Sequence, residues 1–387
     1  MTIRYRSRIV RRSRGFSLVE LMVSLLIGLI VIAGLVSVLM ANRQAFNVQQ
    51  GNNFNQENLR FGMGRVAWSL RMADFWGGVK AKDITGMSST SGVGGTSGDC
   101  TGAWVLSVGD GKENGIRGYD GAATFPIKNC VNTANYVKYS DVVVLRYADT
   151  RGYDPSKTTG PDFDSTDPTV VPNRTSYFLV ASVAQQGNLF YTKTAVPSNP
   201  LASNTGRYVY PYQFEMYYLR PCSDPGKDGV CGTADDGDAG APIPTLMRMR
   251  MDGTGTLISE VVSEGIEQLQ FEYASPAIAQ PSPAPAIPAT PFQTAAASNF
   301  TTVTQARVSM VARAASRDTG VPHPIALTVS GHCQYAIDAT GKVTYSTSLP
   351  STNACANSDA STFGTNPQQF TRVLVQQVVV LRNRVRG

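Results

Sequence analysis

The chain has 387 residues, 42% hydrophobic and 16% charged, which excludes an intrinsically disordered protein and suffices for one large domain or two modest ones. Its formal charge of +6 is not a nucleic-acid signature. Six of the 34 basic residues (Arg4, Arg6, Arg8, Arg11, Arg12 and Arg14) crowd the first fifteen positions, and the other 28 balance the 28 acidic ones. No basic patch is left from which a nucleic-acid partner could be argued.

After this basic leader, Leu21 to Ala41 is an uncharged run of 21 residues. As a helix it is about 31 Å long, the hydrocarbon thickness of a bilayer. The arginines before it place the leader in the cytoplasm and the remainder across the membrane. A secretory signal fits poorly, because the run is too long and no small-x-small cleavage site follows. Glu20 stands at the start of the run, where an ionised carboxylate is costly and needs a cationic partner that the span does not contain. Further on, Leu59, Met63, Val66 and Leu70 recur at steps of four, three and four, the spacing of one buried helix face. No proline precedes Pro126, and Gly77-Gly78 offers a stop. One helix is therefore expected from about Phe16 to about Phe75, half in the membrane and half packed on a globular domain.

From Gly78 onward the pattern turns strand-like. Asp141 to Tyr147 is a short β-branched run, and Thr175–Val180 with Leu189–Thr192 flank Gly187-Asn188, which reads as a hairpin turn. Gln213 to Arg220 is rich in aromatics. Apolar residues alternate in Gln268–Tyr273 and again at Ala306, Val308, Met310 and Ala312, and Val373 to Leu381 reads as a closing strand. Such segments suit antiparallel sheets covered on one side by the helix, so the fold class is α+β with many loops. Gly86–Gly102 and the Pro/Ala-rich Ser275–Pro291 are expected to be surface loops. The six cysteines fall into sequence-close pairs, Cys100/Cys130, Cys222/Cys231 and Cys333/Cys355. Their even number on a membrane-crossing chain suggests disulfides, with neighbour pairing as the default among the several possible connectivities.

Nothing in the chain argues for catalysis or a cofactor. His323 and His332 lie in no metal or nucleophile motif, and neither a phosphate-binding loop nor a nucleophile elbow occurs. The one metal candidate is a calcium site among Asp224, Asp228, Asp235, Asp236 and Asp238. Their spacing does not match an EF-hand, and a disulfide-pinned acidic turn is the preferred reading.

The string Arg14-Gly15-Phe16-Ser17-Leu18-Val19-Glu20-Leu21 resembles the processing site of type IV prepilins and of type II secretion pseudopilins. The resemblance implies cleavage by a prepilin peptidase between Gly15 and Phe16, N-methylation of Phe16, and pairing of Glu20 with the amino terminus of a neighbouring subunit. That neighbour would supply the missing cation. The downstream strings Asn58–Met63, Leu70–Gly77, Cys231–Gly237, Glu264–Tyr273 and Leu381–Arg384 resemble PilW-type minor pilins, while residues 85–200 add little.

The organisation implied is a cleaved leader (1–15), a transmembrane helix half (16–41), an amphipathic helix half (42–76) and a periplasmic or extracellular β-rich domain (77–387). The function implied is non-enzymatic: a minor pilin that primes or caps the type IV pilus. Its partners would be the prepilin peptidase, other minor and major pilins, the inner membrane and a tip adhesin. Two alternatives are a minor pseudopilin of type II secretion and a membrane-anchored periplasmic binding protein or adhesin.

Overall fold

In the computed structural model the apolar run and the four-three-four repeat form one helix, α1 (Leu18–Met72). The structure describes residues 15, 17–85, 100–106, 115–150, 177–182, 187–191, 207–238, 240–252, 255–275, 289–318, 320–345 and 365–385. The chain divides into two compact units, residues 1–50 and residues 51–387, and α1 contributes to both.

The second unit continues with β1 (Ile84–Thr85), a short helix α2 (Gly102–Val105), β2 (Ile116–Tyr119), β3 (Val142–Ala148), β4 (Tyr177–Ser182), β5 (Gly187–Tyr191) and β6 (Arg207–Arg220). There follow β7 (Thr245–Met251), β8 (Leu257–Glu264), β9 (Ile266–Ser275), β10 (Thr290–Gln293), β11 (Gln305–Arg313), β12 (Ile325–Ser330), β13 (Cys333–Ile337), β14 (Val343–Tyr345), β15 (Arg372–Val380) and a last turn of helix, α3 (Arg382–Val385). Three sheets result. The largest runs β1-β5-β4-β6-β3-β2, with β7 and β8 added beyond β6; the second runs β10-β9-β11-β15, and the third β12-β13-β14. Strand β6 is long enough to pair β4 along its first part, β3 along its middle and β7 along its last. Only β1 and β5 pair in parallel among the described strands. This is an α+β, pilin-like architecture.

Strand alternation divides the core. Val143 and Leu145 of β3, Tyr217 and Leu219 of β6, and Leu246 of β7 face one side, where they meet Leu59, Met63, Val66 and Leu70 of α1. Leu269, Val308, Met310 and Val379 of β9, β11 and β15 complete that core, so α1 is packed against two sheets at once. The intervening residues Val142, Val144, Phe214, Met216, Met247 and Met249 face a second core with Trp76, Val79, Ile127 and Tyr136. The helix approaches closely at Gly62, where a Cβ would lie 3.2 Å from both Leu246 and Ser263 side chains.

Polar contacts fix the helix on this apolar bed. Asn55, 2% exposed, donates to the carbonyl of Arg313 (3.0 Å) when its amide nitrogen is turned toward that oxygen, which ties α1 to the end of β11. Ser263 Oγ donates to Asn58 O (2.8 Å) while Asn58 Nδ2 donates to Glu264 O (3.2 Å). About two turns later Glu215 accepts from Arg65 (3.0 Å), Arg248 (2.7 Å) and the Tyr217 hydroxyl (3.1 Å), with Ser69 Oγ 2.8 Å from that hydroxyl. Burial pulls the Arg65 guanidinium down and Glu215, Tyr217 and Tyr147 push it up, with a net shift above its ordinary value. A further buried pair, Arg372 Nε to Glu267 Oε2 at 2.9 Å, links β15 to β9.

The helix ends at Met72, earlier than the Gly77-Gly78 stop expected from sequence. The reason is Asp74, whose φ of 65° leaves helical space. The glycines at 77 and 78, with φ of 63° and 88°, form the turn that follows. An α-helix leaves its last carbonyls without intrahelical donors. Here the chain's own end supplies them: Asn383 Nδ2 donates to the carbonyls of Arg71 (3.1 Å), Met72 (3.3 Å) and Ala73 (3.1 Å). Beside it Arg384 Nε meets Asp74 Oδ2 at 2.7 Å. The hairpin expected around Gly187-Asn188 exists as β4–β5, but Ala181 pairs with Gly187. The connection is therefore residues 183–186, outside the described residues, and Gly187-Asn188 opens β5. The loop expectations for 86–99 and 276–288 also fall outside the described residues.

Leu70→Ala is expected to destabilise the chain by roughly 2–5 kcal/mol. Phe61→Ala, at a position 61% exposed on the same helix, should stay within about 0.5 kcal/mol. Asn383→Ala should cost about 1–3 kcal/mol by leaving helix-end carbonyls unpartnered. Urea unfolding of the detergent-solubilised chain measures all three, and equal losses at Leu70 and Phe61 would contradict the buried seam.

Candidate functional site

The first turn of α1 carries Glu20. Ser17 accepts the first helical hydrogen bond through its carbonyl, from Leu21 N at 3.1 Å. Gly15 and Ser17 are exposed, and Phe16 between them lies outside the described residues, as do residues 1–14. A carboxylate in a first turn complements the partial positive charge of the helix end, but this is a weak interaction compared with a discrete cation. Among the described residues Glu20 makes no ion pair. Ser24 Oγ donates back to the Glu20 carbonyl (2.6 Å), and Ser37 Oγ to that of Ala33 (2.9 Å), so both hydroxyls are satisfied within the apolar run.

Every large apolar side chain from Leu18 to Met40 is at least 43% exposed. Each contributes roughly 1.5–3 kcal/mol when taken out of water, so this stretch requires an apolar medium or apolar neighbours. The helix is long and apolar enough to cross a membrane.

The acidic loop is closed by a disulfide between Cys222 and Cys231, with Cα atoms 5.7 Å apart. Its aspartates are acceptors for the loop's own N–H groups. Asp224 takes Gly226 N (3.1 Å), Asp228 takes Val230 N (2.8 Å), and Asp235 takes Lys227 N (2.9 Å). Asp236 takes Gly232 N (2.7 Å), and Asp238 takes Ser223 N (2.7 Å) and Ile243 N (2.9 Å). The Thr233 hydroxyl and then Lys227 N hold the Asp235 carboxyl below its ordinary range. Cys222, Asp236 and Asp238 converge within 4.8 Å. The Cys222 sulfur is spent in the disulfide, however, and two carboxylates fall short of the roughly six to eight oxygens calcium takes. The arrangement is a loop shaped by Asx-type turns.

A second disulfide joins Cys100 to Cys130, Cα atoms 5.3 Å apart, and anchors the start of α2 in the second core. Cys333 is disulfide-bonded; its expected partner Cys355 lies outside the described residues. The dipeptide His332-Cys333 therefore offers no thiol, and His323 pairs with Asp318 at 3.0 Å.

Sequence reasoning missed the residues that hold the helix in place: Asn55, Glu215 and Arg248. Asn383 and Arg384 stand in the Leu381–Arg384 string that resembles PilW-type minor pilins, but only the fold shows that they cap α1.

Residues 233–383 match the family model of the type IV pilus-assembly protein W, and residues 10–36 match that of the prokaryotic N-terminal methylation motif. No curated protein and no solved structure matches the chain. The second match contains Gly15, Phe16, Glu20 and most of the exposed apolar run. The first takes in β7, β9, β11 and β15 of the strands that bed α1, though not β3 and β6, and ends at the asparagine that caps the helix. The two matches together support a type IV pilin-like minor pilin.

Proposed function

We propose that the chain is cut between Gly15 and Phe16 by a prepilin peptidase, N-methylated at Phe16, and drawn through α1 into a pilus whose assembly it primes or caps. The observation that carries this reading is Glu20. It is a carboxylate at the head of an exposed apolar helix, with no ion pair among the described residues. In the membrane such a charge is costly, and the newly freed amino group of a neighbouring subunit is a cation placed at the same depth. Before assembly the leader, residues 1–15, faces the cytoplasm. Residues 16–41 span the inner membrane, residues 42–76 continue the helix, and residues 77–387 form a periplasmic domain. The role is structural rather than enzymatic, with other minor and major pilins and a tip adhesin as partners. The single buried stripe on the carboxy-terminal half of α1 supports it, because one helix then serves both the fibre and the domain.

Glu20→Ala is expected to leave the chain in membranes at wild-type amounts and to lower its content in sheared fibres by roughly tenfold, equivalent to about 1.4 kcal/mol of lost pairing. Immunoblots of the two fractions measure this. Equal incorporation of the variant would refute a role for Glu20 in assembly.

A further inference from the structure

Among the described residues, strand β15 lies at the outer edge of its sheet and pairs with β11 alone. The bonds Leu381 N to Thr304 O and Ala314 N to Thr371 O fix which backbone groups meet β11. Antiparallel alternation then gives the odd-numbered residues of β15 to β11 and turns the N–H and C=O groups of Gln376, Val378 and Val380 toward the free edge. Natural proteins block such edges with charge, proline, brevity or a covering element. The other outer strands do so. β1, β2, β10 and β14 have four residues or fewer, and β8 carries Glu260 and Glu264. The Thr328 and Val329 carbonyls of β12 accept from the Gln376 side chain. Among the described residues none of these devices is found along residues 373–380 of β15, which read Val-Leu-Val-Gln-Gln-Val-Val-Val. Val378 and Val380 are 49% and 46% exposed and Val375 36%. Arg307, opposite Val378, is neutralised by Glu272 at 2.7 Å. Among the described residues the edge is thus apolar, uncharged and without backbone hydrogen-bond partners.

We propose that the β15 edge docks an extended, uncharged segment of another fibre subunit, which adds a strand beside Gln376–Val380 and packs apolar side chains at alternate positions on Val378 and Val380. A charged segment would place unpaired charge over the valines, which disfavours it. The proposal rests on the chain's entry into a fibre.

The test places a photoreactive benzophenone amino acid at position 378 of the full-length chain, and separately at position 27 of its apolar helix, in cells that assemble fibres. Mass spectrometry then maps adducts in sheared fibres. The expected result is an adduct at both positions, with that from 378 lying in an extended uncharged segment of a different subunit. Val380→Pro removes an N–H that faces the edge, and Val380→Lys places a charge there. Each should lower the yield at 378 on the order of tenfold, the weight of one or two backbone hydrogen bonds, and leave the melting temperature and the yield at 27 unchanged. An adduct at 27 without one at 378 overturns the edge proposal while the pilin reading stands. An adduct from 378 to a second copy of this chain overturns the stated occupant. Absence of adducts at both positions contradicts fibre entry itself.

Discussion

One helix in this protein has to satisfy two environments. From Leu18 to Met40 its large apolar side chains are exposed on every side, a distribution that water opposes and a bilayer or a bundle of like helices favours. From Asn55 to Leu70 only one stripe is buried, under two β-sheets that meet beneath it. The chain solves both with uninterrupted helical backbone, α1, and the rest of the architecture follows from the need to hold the second half of that helix without distorting it. Strands β3, β6 and β7 give alternate residues to the helix and the remainder to a second core, so the largest sheet is covered on both faces.

Apolar packing alone leaves a helix free to slide along its groove. The polar contacts are what set its register. Asn55 reaches the end of β11, Asn58 clasps β8, Arg65 and Ser69 engage the Glu215–Tyr217 cluster on β6, and Asn383 caps the last carbonyls. These contacts are spaced along about five turns of helix and draw on segments more than a hundred residues apart in sequence. Each is buried or half-buried, where loss of one partner strands the other at roughly 1–3 kcal/mol. The short segment after β15 therefore completes α1.

Periodic features were legible in the sequence because a local repeat reports a local environment. The four-three-four spacing of Leu59, Met63, Val66 and Leu70 located the buried stripe, and the alternation of Ala306, Val308, Met310 and Ala312 located β11 and its helix-facing side. Glu20 stood out because a charge beside a membrane-length apolar run is costly. Features that depend on distant partners had no such signal. Nothing near Glu215 announces Arg65 and Arg248, and nothing near Asn383 announces the carbonyls at 71 to 73. The helix end was misplaced by a few residues because Asp74 takes a left-handed conformation while two glycines follow it. The β4–β5 connection was misplaced because Gly187-Asn188, a strong turn pair, is used instead to open a strand. The three-stranded sheet β12–β14 was not anticipated; it is built from short strands whose core includes Val329, Cys333 and Tyr335.

The account turns on what becomes of the segment around Glu20. If α1 is both membrane anchor and fibre element, the mature chain must begin with a freed amino group at the edge of the apolar run. Mass spectrometry of the amino terminus of this chain, recovered from membranes and from sheared surface fibres, tests that directly. The account predicts N-methylated Phe16 as the first residue in both fractions. An intact Met1 in the fibres, or a mature end beyond Ala41, would contradict it.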